Sequence, residues 1–186
     1  GCDRSGDFSM LVAAGKQHGF TVSDTQTLRS DDTRISSTRI RALLQGDNLA
    51  QAKALLGRPY AITGRVQYGK QLGRTLGFPT LNVGLGPCRT ALQGVYTVKV
   101  SAANERGAQP WQGVANIGVR PTVNGGAQPL LEVHLINANA ELYGRIVSVT
   151  FEKKLRNEQR FADVQALKQQ IALDVAQAKA YFKYTV

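Results

Sequence analysis

Glycine is concentrated in one part of this chain: thirteen of its nineteen glycines lie between Gly57 and Gly126. Between these glycines, and beyond them to about residue 153, short runs rich in Val, Ile and Tyr alternate with turn residues. Short strand-like runs separated by Gly, Pro and Asn turns are typical of an antiparallel barrel or sandwich. Six strands are predicted, near residues 60–68, 79–84, 93–102, 112–119, 129–137 and 145–153.

A single helix is predicted after the last strand, over about residues 161–183. Its apolar residues recur at intervals of three and four, which places them on one helical face. That face comprises Phe161, Val164, Leu167, Ile171, Val175, Ala178 and Phe182. The helix is therefore expected to cover an end or a flank of the barrel.

The first 56 residues show a different pattern, in which helix-like segments alternate with a strand-like run over residues 20–28. The first helix is expected to start at Asp7 and to end at Gly19, and the second to start at Ser36 or Ser37. The third helix is expected to start at Asp47 and to end at Gly57. The strands are too few for a sheet that is buried on both faces. Residues 1–56 are interpreted as the end of an α/β domain and residues 57–186 as the barrel domain.

Composition is that of an ordinary globular protein: 186 residues, of which 42 % are hydrophobic and 19 % are charged. No apolar run approaches the ~20 residues that a membrane span needs, and the first ten residues lack the pattern of a signal peptide. Cys2 and Cys88 provide no disulfide framework and no metal-binding spacing. A reduced, cytoplasmic protein without a membrane partner is expected.

The net charge of +10 favours anionic partners, and the charge is unevenly distributed. Between Asp47 and Glu105 there is no carboxylate, whereas the cations there are Lys53, Arg58, Arg65, Lys70, Arg74, Arg89 and Lys99. Three interpretations stay open: a solvated basic face, a basic β-barrel that binds nucleic acid, or a binding site for a phosphate ligand. Single-strand binders usually present aromatic side chains as one stacking surface. Here the aromatic residues are dispersed over the predicted strands: Tyr60, Tyr68, Phe78 and Tyr96.

The stretch GKQLGRTLGFPTLN, residues 69–82, lies inside this carboxylate-free span. Gly69, Gly73 and Gly77 recur at intervals of four, and Lys70 and Arg74 are interleaved with them. The spacing matches neither a P-loop nor a dinucleotide-binding motif, and the stretch has no helical period. Glycines let backbone N–H groups approach a phosphate closely, and the cations offset its charge. The stretch predicts a phosphate-binding loop.

The end of the stretch, PTLN, predicts a metal-binding corner beside that loop. Pro79 favours an extended conformation for the residue before it. Thr80 and Asn82 are two positions apart, so on a strand their side chains point to the same face. A hydroxyl and an amide oxygen are hard ligands of the kind that Mg²⁺ takes together with water and phosphate oxygens.

One carboxylate lies in the middle of a predicted strand, Glu132 in PLLEVHLIN. Alternation places it with His134 on one face of the strand and Leu131 and Val133 on the other. From the pattern alone both polar side chains face solvent, which leaves a simple surface position as an open alternative to catalysis.

These motifs together resemble the riboflavin kinases. The family's ATP and magnesium motif usually ends in Pro-Thr-Ala-Asn, and Leu81 replaces the alanine here. The resemblance continues in order through GVYTVKV, GVANIGVRPTV, LEVHLIN, LYGR and LRNEQRF, so it covers essentially all of residues 57–183. It implies a six-stranded antiparallel Greek-key barrel with a C-terminal helix, and phosphorylation of the ribityl terminal hydroxyl of riboflavin by Mg-ATP to give FMN.

The resemblance also implies roles for particular residues. Glu132 begins the family's Glu-Val-His-Leu strand and would be the general base, while His134 would be structural. ATP would bind at Gly69, Lys70, Gly73, Arg74, Gly77, Thr80, Asn82 and Tyr143, with Thr80 and Asn82 as the Mg²⁺ ligands. The flavin would contact Leu155, Arg156, Glu158 and Phe161. A flavin-binding module without catalysis remains a further alternative.

The segment RISSTRIR resembles a second motif, Ile-Ser-Ser-x-x-x-Arg of nucleotidylyltransferases. Ser36 and Ser37 at a helix N-terminus, with Arg41 one turn later, would form a phosphate site. In bacterial bifunctional FAD synthetases this motif ends an FMN adenylyltransferase domain that precedes the kinase. The His-x-x-His-type motif of that domain is not found in this sequence. We therefore expect a truncated adenylyltransferase domain with exposed apolar surface, no FAD synthesis by this chain alone, and a missing N-terminal domain as a partner.

Overall fold

Six antiparallel strands close into a barrel in the computed structural model of the chain, in the order β3-β4-β7-β6-β5-β8. The strands are β3 (Ala61–Gln67), β4 (Thr80–Val83), β5 (Gly94–Ala102), β6 (Trp111–Pro121), β7 (Ala127–Leu135) and β8 (Ile146–Arg156). Strands β5, β6 and β7 follow one another, and β8 returns to pair with β5, which is Greek-key topology. The predicted barrel is confirmed, and each strand lies where the sequence pattern placed it.

The structure describes residues 6–24, 28–30, 33–69, 72–86, 90–103, 107–121, 127–138 and 140–184. The remaining elements are α1 (Phe8–His18), β1 (Arg29–Ser30), β2 (Thr33–Arg34), α2 (Ser37–Gln45), α3 (Leu49–Leu56), α4 (Leu72–Thr75) and α5 (Val164–Tyr184). Packing divides the chain into two compact units, Gly1–Ile35 and Ser36–Val186. None of the helices in the described ranges is long and apolar enough to cross a membrane.

The barrel interior is filled by every second side chain of each strand. On β7, Leu131 and Val133 are fully buried while Glu132 between them is only half-buried. Strand β4 shows the same alternation, with Leu81 and Val83 buried inside the barrel. This alternation follows from the pleat of a β-strand and leaves the intervening residues on the outer surface.

Helix α5 covers a flank of the barrel, as the sequence predicted. Its buried residues Val175, Ala178 and Phe182 form a second apolar cluster with Val95 of β5 and Val114 of β6. One predicted member of this face was wrong. Val164 is 61 % exposed, because it is the first residue of the helix.

Helices α2 and α3 pack against the barrel through Leu44 and Ala52, which belong to the same apolar cluster as the interior side chains. Ser36 caps α2, with its hydroxyl accepting a hydrogen bond from the Arg39 amide at 3.2 Å. These helices therefore belong to the compact unit of the barrel, although the sequence pattern separated them from it. The boundary at residues 56/57 stays a prediction about domain origin and does not coincide with this division in packing.

The predicted cap of α3 was wrong by one residue. Asn48 caps the helix, because its side chain accepts a hydrogen bond from the Gln51 amide at 3.1 Å. Asp47 instead adopts a left-handed conformation with φ 59° and turns its carboxylate toward the barrel. There it accepts hydrogen bonds from the Tyr96 hydroxyl at 2.7 Å and from Lys154 Nζ at 2.6 Å.

In the first compact unit, Asp7 caps α1 and Gly19 ends it in the left-handed conformation, as predicted. The strand expected over residues 20–28 was wrong, since residues 20–24 form no strand and residues 25–27 lie outside the described part. Apolar side chains of this unit are about half exposed, among them Phe8 at 48 % and Met10 at 54 %. The exposed apolar surface expected for the helices of residues 9–56 is thus found in α1, whereas α2 and α3 bury Leu44 and Ala52 against the barrel.

Tyr96 links α2 and α3 to the barrel core, and its hydroxyl is held beside a carboxylate. The residue is fully buried, and the Tyr96 ring meets Phe151 edge to face with 5.4 Å between centroids. Burial, together with the hydrogen bond to the Asp47 carboxylate and its charge, raises the pKa of Tyr96 far above its ordinary value. The neutral phenol is thus strongly preferred in the folded state.

Stability should consequently fall at alkaline pH for a reason specific to Tyr96. Because folding raises the pKa of this phenol, the folded state gains stability at pH values below the unfolded pKa near 10. That stability is lost as the pH rises toward the pKa of the folded state. Between pH 9 and pH 11 the wild type should lose about 1 kcal/mol more unfolding free energy than Tyr96→Phe. Urea unfolding at the two pH values measures this, with Tyr68→Phe as an exposed control. Parallel losses in wild type and Tyr96→Phe would contradict the assignment.

Candidate active site

One row of register partners runs across five strands on the outer surface of the barrel. Asn82 of β4 pairs with Glu132 of β7, which pairs with Asn116 of β6. Asn116 in turn pairs with Val95 of β5, and Val95 pairs with Arg156 of β8. Directly opposed side chains on neighbouring strands lie about 5 Å apart. Four of the five members of this row are polar or charged, although they come from distant parts of the sequence.

A cavity of about 320 Å³ lies between this row and helix α5. Its lining residues are Gly73, Leu76, Phe78, Thr80, Val95, Val114, Asn116, Glu132, His134, Arg156, Glu158, Gln159, Phe161, Leu167, Ile171 and Asp174. Most of the cavity surface is apolar, and the eight polar or charged side chains in its wall include Asn116, Glu132 and Arg156 of the row. A mainly apolar cavity with a few convergent polar groups is typical of a small-molecule site.

Arg156 is held in one orientation by a buried carboxylate of α5. Its Nε and Nη2 donate to the two oxygens of Asp174 at 2.9 Å and 2.8 Å. Its Nη1 donates to the Asn157 carbonyl at 3.0 Å, and the guanidinium lies 5.7 Å from the Phe161 ring centroid. Asp174 is only 2 % exposed, so the ion pair is largely removed from water. A two-pronged pair of this kind fixes the plane of the guanidinium as well as its position.

His134 lies one register position along β7 from Glu132 and opposite Thr80. Its Nδ1 donates to the Pro79 carbonyl at 2.9 Å, because a carbonyl oxygen can only accept a hydrogen bond. The imidazole also meets the Phe78 ring edge to face at 5.5 Å between centroids. These contacts tie β7 to the start of β4 and fit the structural role predicted for His134.

The predicted phosphate loop contacts the two polar residues of β4. A Cβ on Gly69 would overlap the side-chain amide of Asn82. A Cβ on Gly73 would overlap the Phe78 carbonyl and come within 3.2 Å of the Thr80 hydroxyl. Because Gly69 and Gly73 have no side chains, there is room for the side chains of Asn82 and Thr80. Thr80 and Asn82 lie on the same outward face of β4, as their spacing predicted.

Other parts of this loop differ from the prediction or lie outside the structure. The stretch was expected to have no helical period, but residues Leu72–Thr75 form a single helical turn, α4. Gly77 ends the turn region with φ 85°, a conformation that favours glycine. Arg74 is exposed on α4, and Lys70 lies outside the described residues.

Tyr143 stacks on Tyr68, with ring centroids 4.2 Å apart and an angle of 8° between the planes. Tyr68 is 75 % exposed and directly precedes Gly69, so the pair lies at the start of the predicted phosphate loop. Tyr143 does not line the cavity next to Glu132. The tyrosine pair therefore presents an aromatic surface outside that cavity.

Three of the four residues predicted to contact a flavin line the cavity: Arg156, Glu158 and Phe161. Leu155 does not, because it packs into the apolar cluster between the barrel and α5. Asn116 and Asp174 also line the cavity, and neither was predicted from the sequence. Asp174 could have been recognised as a carboxylate within the apolar face of the predicted helix, between Ile171 and Ala178.

The second motif lies apart from this cavity. The Ser36 hydroxyl is used as the cap of α2, Ser37 is the first residue of that helix, and Arg41 is exposed on its surface. None of these three residues is among those that line the cavity. Their phosphate-binding role remains a prediction.

Comparison with known proteins identifies the class. Over residues 56–182 the sequence matches the model of the Flavokinase family, described as riboflavin kinase. The chain is 50 % identical over 185 residues to the bifunctional riboflavin kinase/FMN adenylyltransferase of Escherichia coli K12, covering 100 % of this chain and 58 % of the relative. The enzyme of the same name from Pseudomonas fluorescens is 51 % identical over 180 residues, covering 97 % of this chain and 57 % of the relative.

A solved structure shares the architecture over most of the chain. The crystal structure of a macrolide-efflux protein from Streptococcus pneumoniae superposes with a TM-score of 0.71 at 28 % identity. The match covers 94 % of this chain and 55 % of that chain. Like the curated relatives, that protein is considerably longer than the residues compared.

The chain belongs to the riboflavin kinase family, which confirms the resemblance found in the sequence. It spans a little over half of the length of the curated relatives that it matches, 58 % in the first case.

Replacing Gly69 by Ala should disturb Asn82 specifically. The added Cβ would overlap the Asn82 amide, and misplacing a positioning group by about 1 Å can reduce a rate roughly 100-fold. We expect Gly69→Ala to reduce riboflavin phosphorylation by about 10- to 100-fold without changing the unfolding midpoint. Gly46→Ala is the matched control, since a Cβ there lies 3.5 Å from its nearest neighbour and φ is −86°. Equal activity in both variants would refute the contact.

Replacing Asp174 by Asn should release Arg156 while keeping nearly the same side-chain shape. Because the pair is buried, loss of one charge is expected to reduce the unfolding free energy by about 3 kcal/mol. Riboflavin phosphorylation should fall as well, since the guanidinium is no longer held at the cavity. Chemical denaturation and an FMN-formation assay measure the two effects, with the exposed Asp24→Asn as control. Unchanged stability of Asp174→Asn would show that the ion pair is not formed in solution.

Proposed function

We propose that this chain transfers the γ-phosphoryl group of ATP to the terminal ribityl hydroxyl of riboflavin, giving FMN and ADP. The observation that carries the proposal is the position of Glu132. This carboxylate lies in the middle of a polar row at the wall of a mainly apolar cavity, between Asn82 and Asn116. Membership of the riboflavin kinase family supplies the substrate class.

Glu132 acts as the general base in this proposal. An alcohol is a weak nucleophile at neutral pH, and a positioned base contributes ~10²–10⁴-fold to its attack. The Glu132 carboxylate accepts the hydroxyl proton as the ribityl oxygen bonds to the γ-phosphorus. The bond from that phosphorus to the β,γ-bridging oxygen breaks, and ADP leaves with the electron pair. Half-burial of Glu132 beside the cavity is compatible with contact to a bound alcohol.

The ATP side is assigned to the loop before β4 and to β4 itself. Backbone groups at Gly69, Gly73 and Gly77 would approach the phosphates, with Arg74 and Lys70 offsetting their charge. Tyr143, stacked on Tyr68, lies at the start of this loop and would contact the nucleotide.

The residues of β4 fit a magnesium ion. Thr80 and Asn82 offer a hydroxyl and an amide on one outward face, and two glycines leave space around them. With Mg²⁺ held by Thr80 and Asn82, the site would gain positive charge that offsets the negative charge on the phosphates during transfer. Among the described residues no cluster of three or more His, Cys, Asp or Glu side chains competes as a cation site.

The flavin side is assigned to the opposite wall of the cavity. Phe161 and the plane of Arg156 would contact the isoalloxazine, and Glu158 lies at the same rim. Leu155 would act only indirectly, by packing β8 against α5. The Arg156–Asp174 pair fixes this wall before a ligand binds, which reduces the entropic cost of binding.

The second activity in the relatives' names, FMN adenylylation, is connected here only with Ser36, Ser37 and Arg41, and it is a proposal for the whole protein. We expect the kinase to act in the cytoplasm, as the absence of a disulfide framework suggests. A basic nucleic-acid-binding barrel remains the alternative from charge alone, and binding that collapses with salt would indicate it.

The test is a product assay with Mg-ATP and riboflavin, comparing wild type with Glu132→Gln. We expect FMN from the wild type and a loss of roughly 10²–10⁴-fold in kcat for Glu132→Gln, with riboflavin binding retained. Glu152→Gln is the matched control, because Glu152 also lies on the outer face of the barrel but contacts Lys99 and Tyr181 away from the cavity. If the wild type binds riboflavin but forms no FMN, the chain is a flavin-binding module without catalytic activity. Equal rates in Glu132→Gln and wild type would remove Glu132 as the base.

A further inference from the structure

Asn116 carries a polar atom that the fold itself leaves unsatisfied. Its Oδ1 is buried and has no hydrogen-bond partner, one of two such side-chain atoms among the described residues. The other, Thr97 Oγ1, does not line the cavity. Buried acceptors in folded proteins are almost always paired, because an unpaired one loses its hydration without compensation. The Asn116 carbonyl therefore requires a donor that the chain does not provide.

The position of Asn116 shows where that donor must come from. Asn116 lines the cavity and is the direct register partner of Glu132 on the neighbouring strand. Its chain neighbours Ala115 and Ile117 are fully buried in the barrel interior, so its own side chain is directed to the outer, cavity-bearing face. A group bound in the cavity can reach this carbonyl.

Several donors in the polar wall of the cavity are already used within the protein. Three of the five Arg156 N–H groups already donate to Asp174 and to the Asn157 carbonyl. The His134 Nδ1 donates to the Pro79 carbonyl. Glu132 and Glu158 are acceptors when ionised. The acceptors Asn116, Glu132 and Glu158 thus fit a ligand that brings several donors, which is the property of a polyol.

We propose that the Asn116 side chain accepts a hydrogen bond from a ribityl hydroxyl of riboflavin and so positions the terminal hydroxyl at Glu132. The inference rests on the proposed kinase function and assigns to Asn116 a positioning and specificity role. Neighbouring strands are about 4.8 Å apart, so a chain whose end lies at Glu132 passes Asn116 with the hydroxyls that precede that end. The ring N–H of the flavin lies at the far end of the ligand from the ribityl terminus and does not meet this requirement.

The test compares two ligands that share one ring system. Riboflavin carries the ribityl chain, and lumiflavin carries a methyl group in its place. Asn116→Leu keeps the side-chain shape and removes the amide, and Gln112→Met makes a similar change on the same strand and face away from the cavity. Kd values come from titrations followed by flavin fluorescence, and kcat and KM from FMN formation.

We expect Asn116→Leu to raise the Kd for riboflavin by roughly 5- to 10-fold, the size of one neutral hydrogen bond, and to leave the Kd for lumiflavin within twofold. The kcat should also fall, since the terminal hydroxyl is less well placed, while Gln112→Met changes neither ligand. Equal weakening of both ligands, or no weakening of either, would overturn the role of Asn116. If Asn116→Leu does not fold, the smaller Asn116→Ser decides by the same ligand comparison. Absence of FMN from the wild type would instead contradict the kinase proposal, so the two failures are separable.

Discussion

The closure of the sheet is the constraint on which the rest of this structure depends. In a closed barrel each strand has two partners, so the register of one pair restricts the register of every other pair. A shift of one residue on β7 would exchange Glu132 with Leu131 and place a carboxylate in the apolar interior. The interior side chains therefore hold the polar row in place, although they take no part in it. The burial of Leu131 and Val133 is what directs Glu132 outward.

The second constraint is the charge pair that joins the barrel to its flanking helix. Arg156 ends β8 and Asp174 lies in the middle of α5, so their ion pair crosses the cavity wall. A buried pair of this kind contributes little net stability compared with an apolar contact, but each charge becomes costly when its partner is lost. The ion pair thus determines the orientation of α5 on the barrel more than it strengthens the packing of α5 against the barrel. The apolar contacts of Val175 and Phe182 supply the attraction.

The sequence predicted the strands and the closing helix well because both rest on periodicity and on turn residues. Thr80, Asn82 and Glu132 were likewise placed on their strand faces by alternation alone. Pairing between distant strands has no local signal, so Asn116 could not be placed beside Glu132 until the register was known. The same reason explains Asp47, which local rules assign to a helix cap. Its carboxylate instead bonds Tyr96 and Lys154, which are far away in sequence.

The row that forms the candidate site draws single residues from β4, β5, β6, β7 and β8, from Asn82 to Arg156. No segment of the chain contains two neighbouring members, so the site exists only when those strands are paired. A ligand of this row consequently binds only the folded barrel. Its binding free energy therefore stabilises the whole barrel against cooperative unfolding. Pairing between residues distant in sequence also slows the folding that the site requires. The recognition surface and the folded barrel are in this sense a single cooperative unit.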